Sequence, residues 1–295
     1  MYLGDLYAAG SAVVWSFSVI LMRVAGYQIP PIPLTFFKSC VALLCLAICL
    51  ILLGEPLLVD LSRSEYLRLI ISGAVGISIA DAMIAASLNR LGASLQALAD
   101  CAYTPAITLV GFLMFGEMLN TWEIIGGFLV ISGVFIGAVM KVEVTAKKDL
   151  IIGILLAASA HAIMGVGILM VRDIYREESV IWVTSFRFFV AVLAMLIYGY
   201  FRWPGNLKNR LFMGFFRVDM WRTIIPMAFL GPFLATLFWI AGFKYLEAGR
   251  AAIYNQLSTV FIILLAYFLL GEKLTKRKML GVVLALAGAS IVAFQ

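Results

Sequence analysis

Charged residues are scarce in this sequence: 13% of its 295 residues are charged, whereas 64% are hydrophobic. Soluble domains average roughly 25% charged and roughly 45–50% apolar residues. The longest polar connection, Arg202 to Met220, is too short to form a soluble domain. The composition therefore excludes an ordinary soluble protein and predicts a chain that lies within a lipid bilayer.

Residues that bind metals are scarce as well. His161 is the only histidine, and the four cysteines, Cys40, Cys45, Cys49 and Cys101, lie inside apolar runs. Because zinc sites combine several Cys or His residues at close spacing, we expect no metal or cofactor and interpret the cysteines as packing residues. The sequence also lacks a P-loop, so no nucleotide-driven activity is expected. No motif supports nucleic-acid binding.

Long apolar runs without strict alternation fill most of the chain. A helix needs about 20 apolar residues to cross roughly 30 Å of hydrocarbon, and the lack of alternation is not typical of barrel strands. The first ten residues lack the pattern of a removable signal peptide. The sequence therefore predicts an all-α integral membrane protein with ten transmembrane helices. We place them at 5–25, 32–53, 67–89, 93–116, 119–140, 149–171, 180–201, 222–244, 249–271 and 275–294.

The second half of the chain repeats the first. At an offset of 155, residues 91–138 match residues 246–293 at fourteen of 48 positions, and FLMFGEMLN corresponds to YFLLGEKLT. Upstream, at a smaller offset, Phe37-Lys38 corresponds to Phe186-Arg187. Five helices in each half make the second half run upside down, so residues 1–144 and 145–295 are expected to form two inverted repeats. Inverted repeats are a common architecture of secondary transporters, and one such pair is expected to act as a monomer.

The pattern of the second half resembles a known family. The run FLLGEKLTKRKMLGVVLALAGASIVA, preceded by YLEAGRAAI, is similar to the ten-helix EamA-like members of the drug/metabolite transporter superfamily. The first half carries the corresponding Phe115-Gly116-Glu117, Gly126 and Gly133. The resemblance covers essentially the whole chain. It implies a multi-pass protein of a bacterial or archaeal plasma membrane that exports or exchanges small metabolites, amino acids or amphipathic compounds.

Polar residues within the apolar runs are the candidates for substrate binding, because they are costly in hydrocarbon and usually face a cavity or a partner. One stripe on the fourth helix recurs on the ninth at the offset of 155. The candidates are Asp81 on the third helix, Gln96, Asp100, Tyr103 and Thr104 on the fourth, Asn255, Gln256, Ser258 and Thr259 on the ninth, and Trp15 on the first. The alternative is that these residues only make hydrogen bonds between helices.

Three further residues are candidates for gating or proton transfer. Lys38 and Arg187 are expected to form ion pairs with carboxylates, with Asp81 as one such partner; the alternative is that they reach toward lipid headgroups. His161, near the centre of the sixth helix, is a possible proton relay or a packing residue. Protons are therefore one candidate coupling ion.

Three local features lie outside the candidate site. The Gly-Glu turns predict that Glu117 and Glu272 cap the helices that follow them. Gly231-Pro232 predicts a bend in the eighth helix. The basic and aromatic segment from Arg202 to Arg222 is interpreted as an amphipathic helix on the membrane surface.

The leading interpretation is a secondary active transporter, an exporter or exchanger of a small metabolite that works by alternating access between the two halves. Two alternatives stay open at this point: an integral-membrane enzyme that acts on lipid-linked or small substrates, and a membrane assembly protein without transport activity. A single histidine with scattered acids does not provide the residue cluster that such an enzyme needs, so no enzymatic activity is expected.

Overall fold

The computed structural model describes residues 3–101, 121–139, 147–245 and 248–293, and Tyr103, Ala106, Leu109 and Leu113 between the first two ranges. All regular structure in these residues is helical. Within these described ranges, six helices are long and apolar enough to cross a membrane: Gly4–Ala25, Pro31–Leu53, Arg63–Leu91, Lys147–Leu169, Val180–Arg202 and Val218–Gly242. Ile124–Gly133 and Leu257–Leu270 are shorter apolar segments. The all-helical class is confirmed, and the count of ten spans stays a prediction.

The principal helices are labelled in chain order. They are α1 (Leu3–Ala25), α2 (Pro31–Leu53), α3 (Arg63–Leu91), α4 (Ala93–Asp100 in the described residues), α5 (Thr121–Val139), α6 (Lys147–Leu169), α7 (Val180–Arg202), α8 (Trp221–Ala228, continued by Phe229–Ala235 and Thr236–Tyr245), α9 (Ala248–Leu270) and α10 (Lys276–Ala293). A short helix, Arg172–Glu177, connects α6 to α7.

The largest difference from the predicted boundaries is at the start of α3. Ser62 Oγ accepts a hydrogen bond from the Glu65 N–H at 3.2 Å, and the Ser62 N–H donates to Glu65 Oε2 at 2.7 Å. This capping box starts the helix at Arg63, before the apolar run begins. Hydrophobicity alone placed the start at residue 67 because it does not detect a polar first turn.

Neighbouring helices pair in a regular way. Helix α1 of the first half packs against α8 and α9 of the second half. Helix α6 of the second half packs against α3 and α4 of the first half. The remaining large contacts join α2 to α7, α2 to α8, α3 to α7, α4 to α9 and α5 to α10. When both helices of a contacting pair are replaced by their equivalents in the other half, five places along in the helix order, the result is again a contacting pair.

In the part of the chain that the structure describes, two helices contain a π-helical segment, Ala74–Ile79 within α3 and Phe229–Ala235 within α8. The two segments begin 155 residues apart, which is the offset of the sequence repeat. The second contains Gly231 and Pro232, so the irregularity expected from these residues is present. Proline cannot donate the backbone hydrogen bond of a regular turn, whereas the first segment has no proline to signal it.

Small residues bring α5 and α10 into backbone contact. A Cβ atom at Gly133 would lie 2.6 Å from the Gly281 carbonyl oxygen, and one at Gly288 would collide with the Gly126 carbonyl oxygen. Close approach of this kind is how helices associate in lipid, where the hydrophobic effect between helices is lost.

We expect Gly288→Leu to separate α5 from α10 and to lower the stability of the protein by about 1–3 kcal/mol, the usual cost of overpacking a tight contact. The measurement is the melting temperature of the purified protein in detergent. The control is Ala287→Leu, which adds the same side chain at an exposed position of the same helix. Equal melting temperatures for the two variants would contradict the close contact.

The basic segment between α7 and α8 does not form one amphipathic helix. It contains two four-residue helices, Leu207–Arg210 and Met213–Phe216, and a 3₁₀ turn. The prediction was wrong because the segment is divided into short helices and some of its apolar residues contact the bundle. Leu211 is fully buried and Phe215 packs against Phe37, whereas Phe216 is exposed.

The Gly-Glu turn also differs from the prediction. Glu272 does not cap α10, where Thr275 Oγ1 accepts the hydrogen bond from the Lys278 N–H. Instead, Glu272 Oε1 accepts from the Ala93 N–H at 2.8 Å and Oε2 from the Ser94 N–H at 3.1 Å, at the start of α4. The carboxylate therefore links the two halves of the chain. Glu117 lies outside the described residues.

Candidate functional site

A cavity of about 170 Å³ lies among helices of both halves. It is lined by residues from α1, α2, α3 and α4 of the first half and from α6, α7, α8 and α9 of the second, and by none of the described residues of α5 and α10. Its polar and charged lining residues are Ser11, Lys38, Asp81, Asp100, Tyr103, His161, Thr184, Arg187, Thr236, Ser258 and Thr259. Trp15, Phe188 and Trp239 add aromatic surface.

Lys38 and Asp81 form an ion pair between α2 and α3. Lys38 Nζ lies 2.6 Å from Asp81 Oδ2, and the two side chains are 3% and 15% exposed. Lys38 is thus buried at the cavity wall and does not reach lipid headgroups. Because the carboxylate neutralises the ammonium in a region that excludes water, neither charge is isolated.

Arg187 on α7 has a different partner. Its Nη1 donates to the Tyr175 hydroxyl at 2.7 Å, and its Nε is buried without a hydrogen-bond partner in the described part of the chain. The side chain is 4% exposed. The carboxylate partner expected for Arg187 is not found among the described residues, because the position that corresponds to Asp81 in the repeat carries a threonine, Thr236.

Besides the Lys38–Asp81 pair and Arg187, the cavity contains Asp100 and His161, whose contact joins α4 to α6. Asp100 Oδ1 lies 2.7 Å from His161 Nε2 and also accepts a hydrogen bond from Gln96 Nε2 at 2.6 Å. Gln96 is buried behind Asp100 and does not line the cavity. His161 Nδ1 is buried without a partner among the described residues. With a proton on Nε2, His161 donates to Asp100 and holds its carboxylate at the cavity wall.

Tyr103 packs edge-on against His161, with ring centroids 5.6 Å apart, and its centroid lies 6.4 Å from that of Trp239. The matching stripe of α9 approaches the same region, because Thr259 Oγ1 donates to the Ala97 carbonyl oxygen at 3.2 Å. Ser258 lines the cavity beside it. Thr104 and the side chains of Asn255 and Gln256 lie outside the described residues.

Several lining residues were not among the sequence candidates. Ser11 on α1 donates to the Ala235 carbonyl oxygen at 2.9 Å, and Thr236 donates to that of Gly231 at 3.3 Å. Thr236 lies 155 residues after Asp81, so the repeat offset alone could have identified it. Tyr175, in the short helix before α7, contacts Arg187 but does not line the cavity, and no repeat position or motif in the sequence identified it.

The described residues contain no group of three or more His, Cys, Asp or Glu side chains that could hold a metal ion. Cys40, Cys45 and Cys49 are half-buried, Cys101 is buried, and none forms a disulfide. The charged groups of the cavity are instead two acid–base pairs and one guanidinium. Such an arrangement suits reversible binding of a polar solute.

Several long apolar helices that enclose a cavity with buried charges are the structural features of a membrane transporter. Two stretches of this chain, residues 2–138 and 151–294, match the model of the EamA-like transporter family. Together they cover most of the sequence, so the chain belongs to this family, within the drug/metabolite transporter superfamily. It is a multi-pass integral membrane protein, and the resemblance seen in the sequence is confirmed.

Two further comparisons concern a curated relative and a solved structure. The chain is 26% identical over 138 residues to the uncharacterized transporter YetK of Bacillus subtilis (strain 168), a region that covers 46% of this chain and 39% of YetK. A solved crystal structure of another protein matches with a TM-score of 0.69 and 16% identity, over 98% of this chain and 95% of that one. At this identity the likeness concerns the fold alone.

Proposed function

We propose that this protein is a secondary active transporter that exports or exchanges a small metabolite through the cavity described above. Residues 1–144 and 145–295 form two inverted five-helix units that move against each other and open the cavity to either side in turn. The observation that carries the proposal is the cavity itself, since both units contribute buried charged groups to it: Lys38, Asp81 and Asp100 from the first, His161 and Arg187 from the second.

The helix contacts support the two-unit description. The pattern of neighbours is unchanged when each helix is exchanged for the one five places away, and the two π-helical segments fall at the repeat offset. The family model also matches the chain twice. A π-helical turn has fewer regular backbone hydrogen bonds than an α-helix, so α3 and α8 are the helices best suited to bend during such a motion.

The transport proposal is tested by counterflow in proteoliposomes. We expect vesicles that contain the purified protein and an unlabelled solute inside to accumulate the same labelled solute, and protein-free vesicles not to. The panel should contain aromatic and aliphatic amino acids, their amines and their organic acids. The absence of counterflow for every solute would remove the support for transport and favour a membrane protein with another activity.

Asp100 and His161 are the proposed site for a coupling proton. They share a hydrogen bond at the cavity wall, and histidine changes charge near neutral pH. Besides Asp100, Tyr103 packs against His161, and Lys38, Asp81 and Arg187 line the same cavity.

We therefore expect wild-type exchange to differ between about pH 6 and about pH 8, and His161→Gln to remove most of that difference while exchange persists. Glutamine keeps a donor toward Asp100 but does not titrate. The measurement is counterflow at both pH values. An unchanged pH dependence in His161→Gln would assign proton coupling to another group.

A further inference from the structure

Arg187 is a buried cation at the cavity wall without a counter-ion among the described residues. Among the described residues, its one hydrogen bond goes to the hydroxyl of Tyr175, and its Nε has no hydrogen-bond partner. Removing a guanidinium from water is costly unless a negative charge compensates it. A group that enters the cavity is therefore the available source of that charge.

The internal repeat shows which chemical group is missing. Lys38 corresponds to Arg187, and Lys38 is neutralised by Asp81 at 2.6 Å. The residue that corresponds to Asp81 is Thr236, which lines the same cavity but bonds to its own helix at the Gly231 carbonyl oxygen. The second half thus retains the cation of the pair and lacks its carboxylate.

We propose that Arg187 binds a carboxylate of the transported solute, which takes the place that Asp81 occupies beside Lys38. The planar guanidinium presents a fork of N–H donors that matches the two oxygens of a carboxylate. Trp15, Phe188 and Trp239 line the same cavity and offer apolar contacts to the rest of the molecule. The solute is accordingly a carboxylic acid with an apolar or aromatic body. This assignment rests on the proposed function.

Four probes with one carbon skeleton separate the carboxylate from the other groups. Phenylalanine carries a carboxylate and an amine, 3-phenylpropionate the carboxylate alone, phenylalaninamide the amine alone, and 3-phenylpropionamide neither charge. We expect the first two to bind the purified protein in detergent, measured by calorimetry or thermal shift, and the last two to bind at least about tenfold more weakly, as expected for loss of a charge-assisted contact.

Substitutions at Arg187 give the second measurement. Arg187→Gln should weaken binding of the two carboxylates by about tenfold or more and leave binding of phenylalaninamide unchanged. Arg187→Lys should restore part of the affinity, because it keeps the charge but not the fork. These results would assign the carboxylate to Arg187, whereas equal effects on all four probes would indicate a structural role and overturn the proposal.

Thr236→Asp tests the missing carboxylate by supplying it within the protein. It should supply an internal partner for Arg187, raise the melting temperature of the protein without solute, and abolish binding of 3-phenylpropionate. Thr236→Asn, which has nearly the same shape but no charge, should not raise the melting temperature. If Thr236→Asp lowers stability as much as Thr236→Asn and leaves carboxylate binding intact, Arg187 is not the subsite.

Binding and counterflow together distinguish this proposal from the function on which it rests. Counterflow of phenylalanine or 3-phenylpropionate that is unaffected by Arg187→Gln would overturn the carboxylate subsite and leave transport standing. Binding of the two carboxylates that requires Arg187, without counterflow of any solute, would support the subsite and overturn transport. Failure of all four probes to bind at millimolar concentration would overturn the assigned solute class.

Discussion

Replacing Lys38 by methionine is expected to lower the stability of the protein by about 3–5 kcal/mol, because it leaves the carboxylate of Asp81 buried and unpaired. Lys38 is 3% exposed and lies 2.6 Å from that carboxylate. The melting temperature in detergent measures the effect. The matched control is Lys244→Met at the exposed end of α8, which removes the same charge where water is available.

The double variant Lys38→Met with Asp81→Leu should recover most of the lost stability, since replacing both partners of a buried ion pair by apolar residues is often close to neutral. It should not recover exchange activity if the pair also shapes the cavity. A double variant as unstable as Lys38→Met alone would show that the pair is not the cause of the destabilisation.

Replacing Glu272 by glutamine is expected to weaken the link between the two halves and to destabilise the protein by about 1.5–3 kcal/mol, the range for hydrogen bonds to a charged group. Glu272 accepts from two N–H groups at the start of α4, where the helix dipole also favours a negative charge. The measurement is the melting temperature at neutral pH, with Glu177→Gln at an exposed position as control.

The pH dependence of this effect follows from the pKa of Glu272. Burial raises this pKa, but hydrogen bonds from Ser94 and Ala93 and the charge of Lys278 lower it more, so the pKa lies below its usual value. A carboxylate with a lowered pKa stabilises the folded state above its unfolded pKa and loses that contribution as the pH falls through the folded value. The wild type and Glu272→Gln should therefore differ at neutral pH and converge in acid. A difference that persists unchanged into acid would contradict the role of the ionised carboxylate.

Much of the fold was predictable because hydrocarbon imposes a simple rule on the sequence. A helix that crosses it must be apolar over its whole length, so the ends of the apolar runs predict helix ends. The same rule identified the cavity, because Lys38, Asp81, Asp100, His161 and Arg187 interrupt apolar runs, and all five line it. Their burial made a shared polar region the favourable arrangement.

The sequence predicted ion pairs for Lys38 and Arg187 with Asp81 as one partner, but it could not tell which of the two bases contacts Asp81, because partner choice depends on helix rotations that no local pattern encodes. Lys38 and Arg187 occupy equivalent positions, yet one contacts a carboxylate and the other the hydroxyl of Tyr175. Glu272 precedes α10 in the sequence but caps α4, because the turn that carries it lies beside the start of that helix. The unbroken helix expected at the membrane surface was wrong because tertiary contacts bury Leu211 and hold Phe215 against Phe37.

The central claim is that the cavity opens to both sides of the membrane in turn, and accessibility of one cavity position tests it most directly. Met164 lines the cavity on α6 and is half-buried. The experiment places Met164→Cys in a protein whose four cysteines are replaced, and adds a membrane-impermeant maleimide to sealed vesicles of each orientation. Labelling from both faces, with solute changing the ratio, is the expected result. Labelling from one face alone under exchange conditions would contradict alternating access.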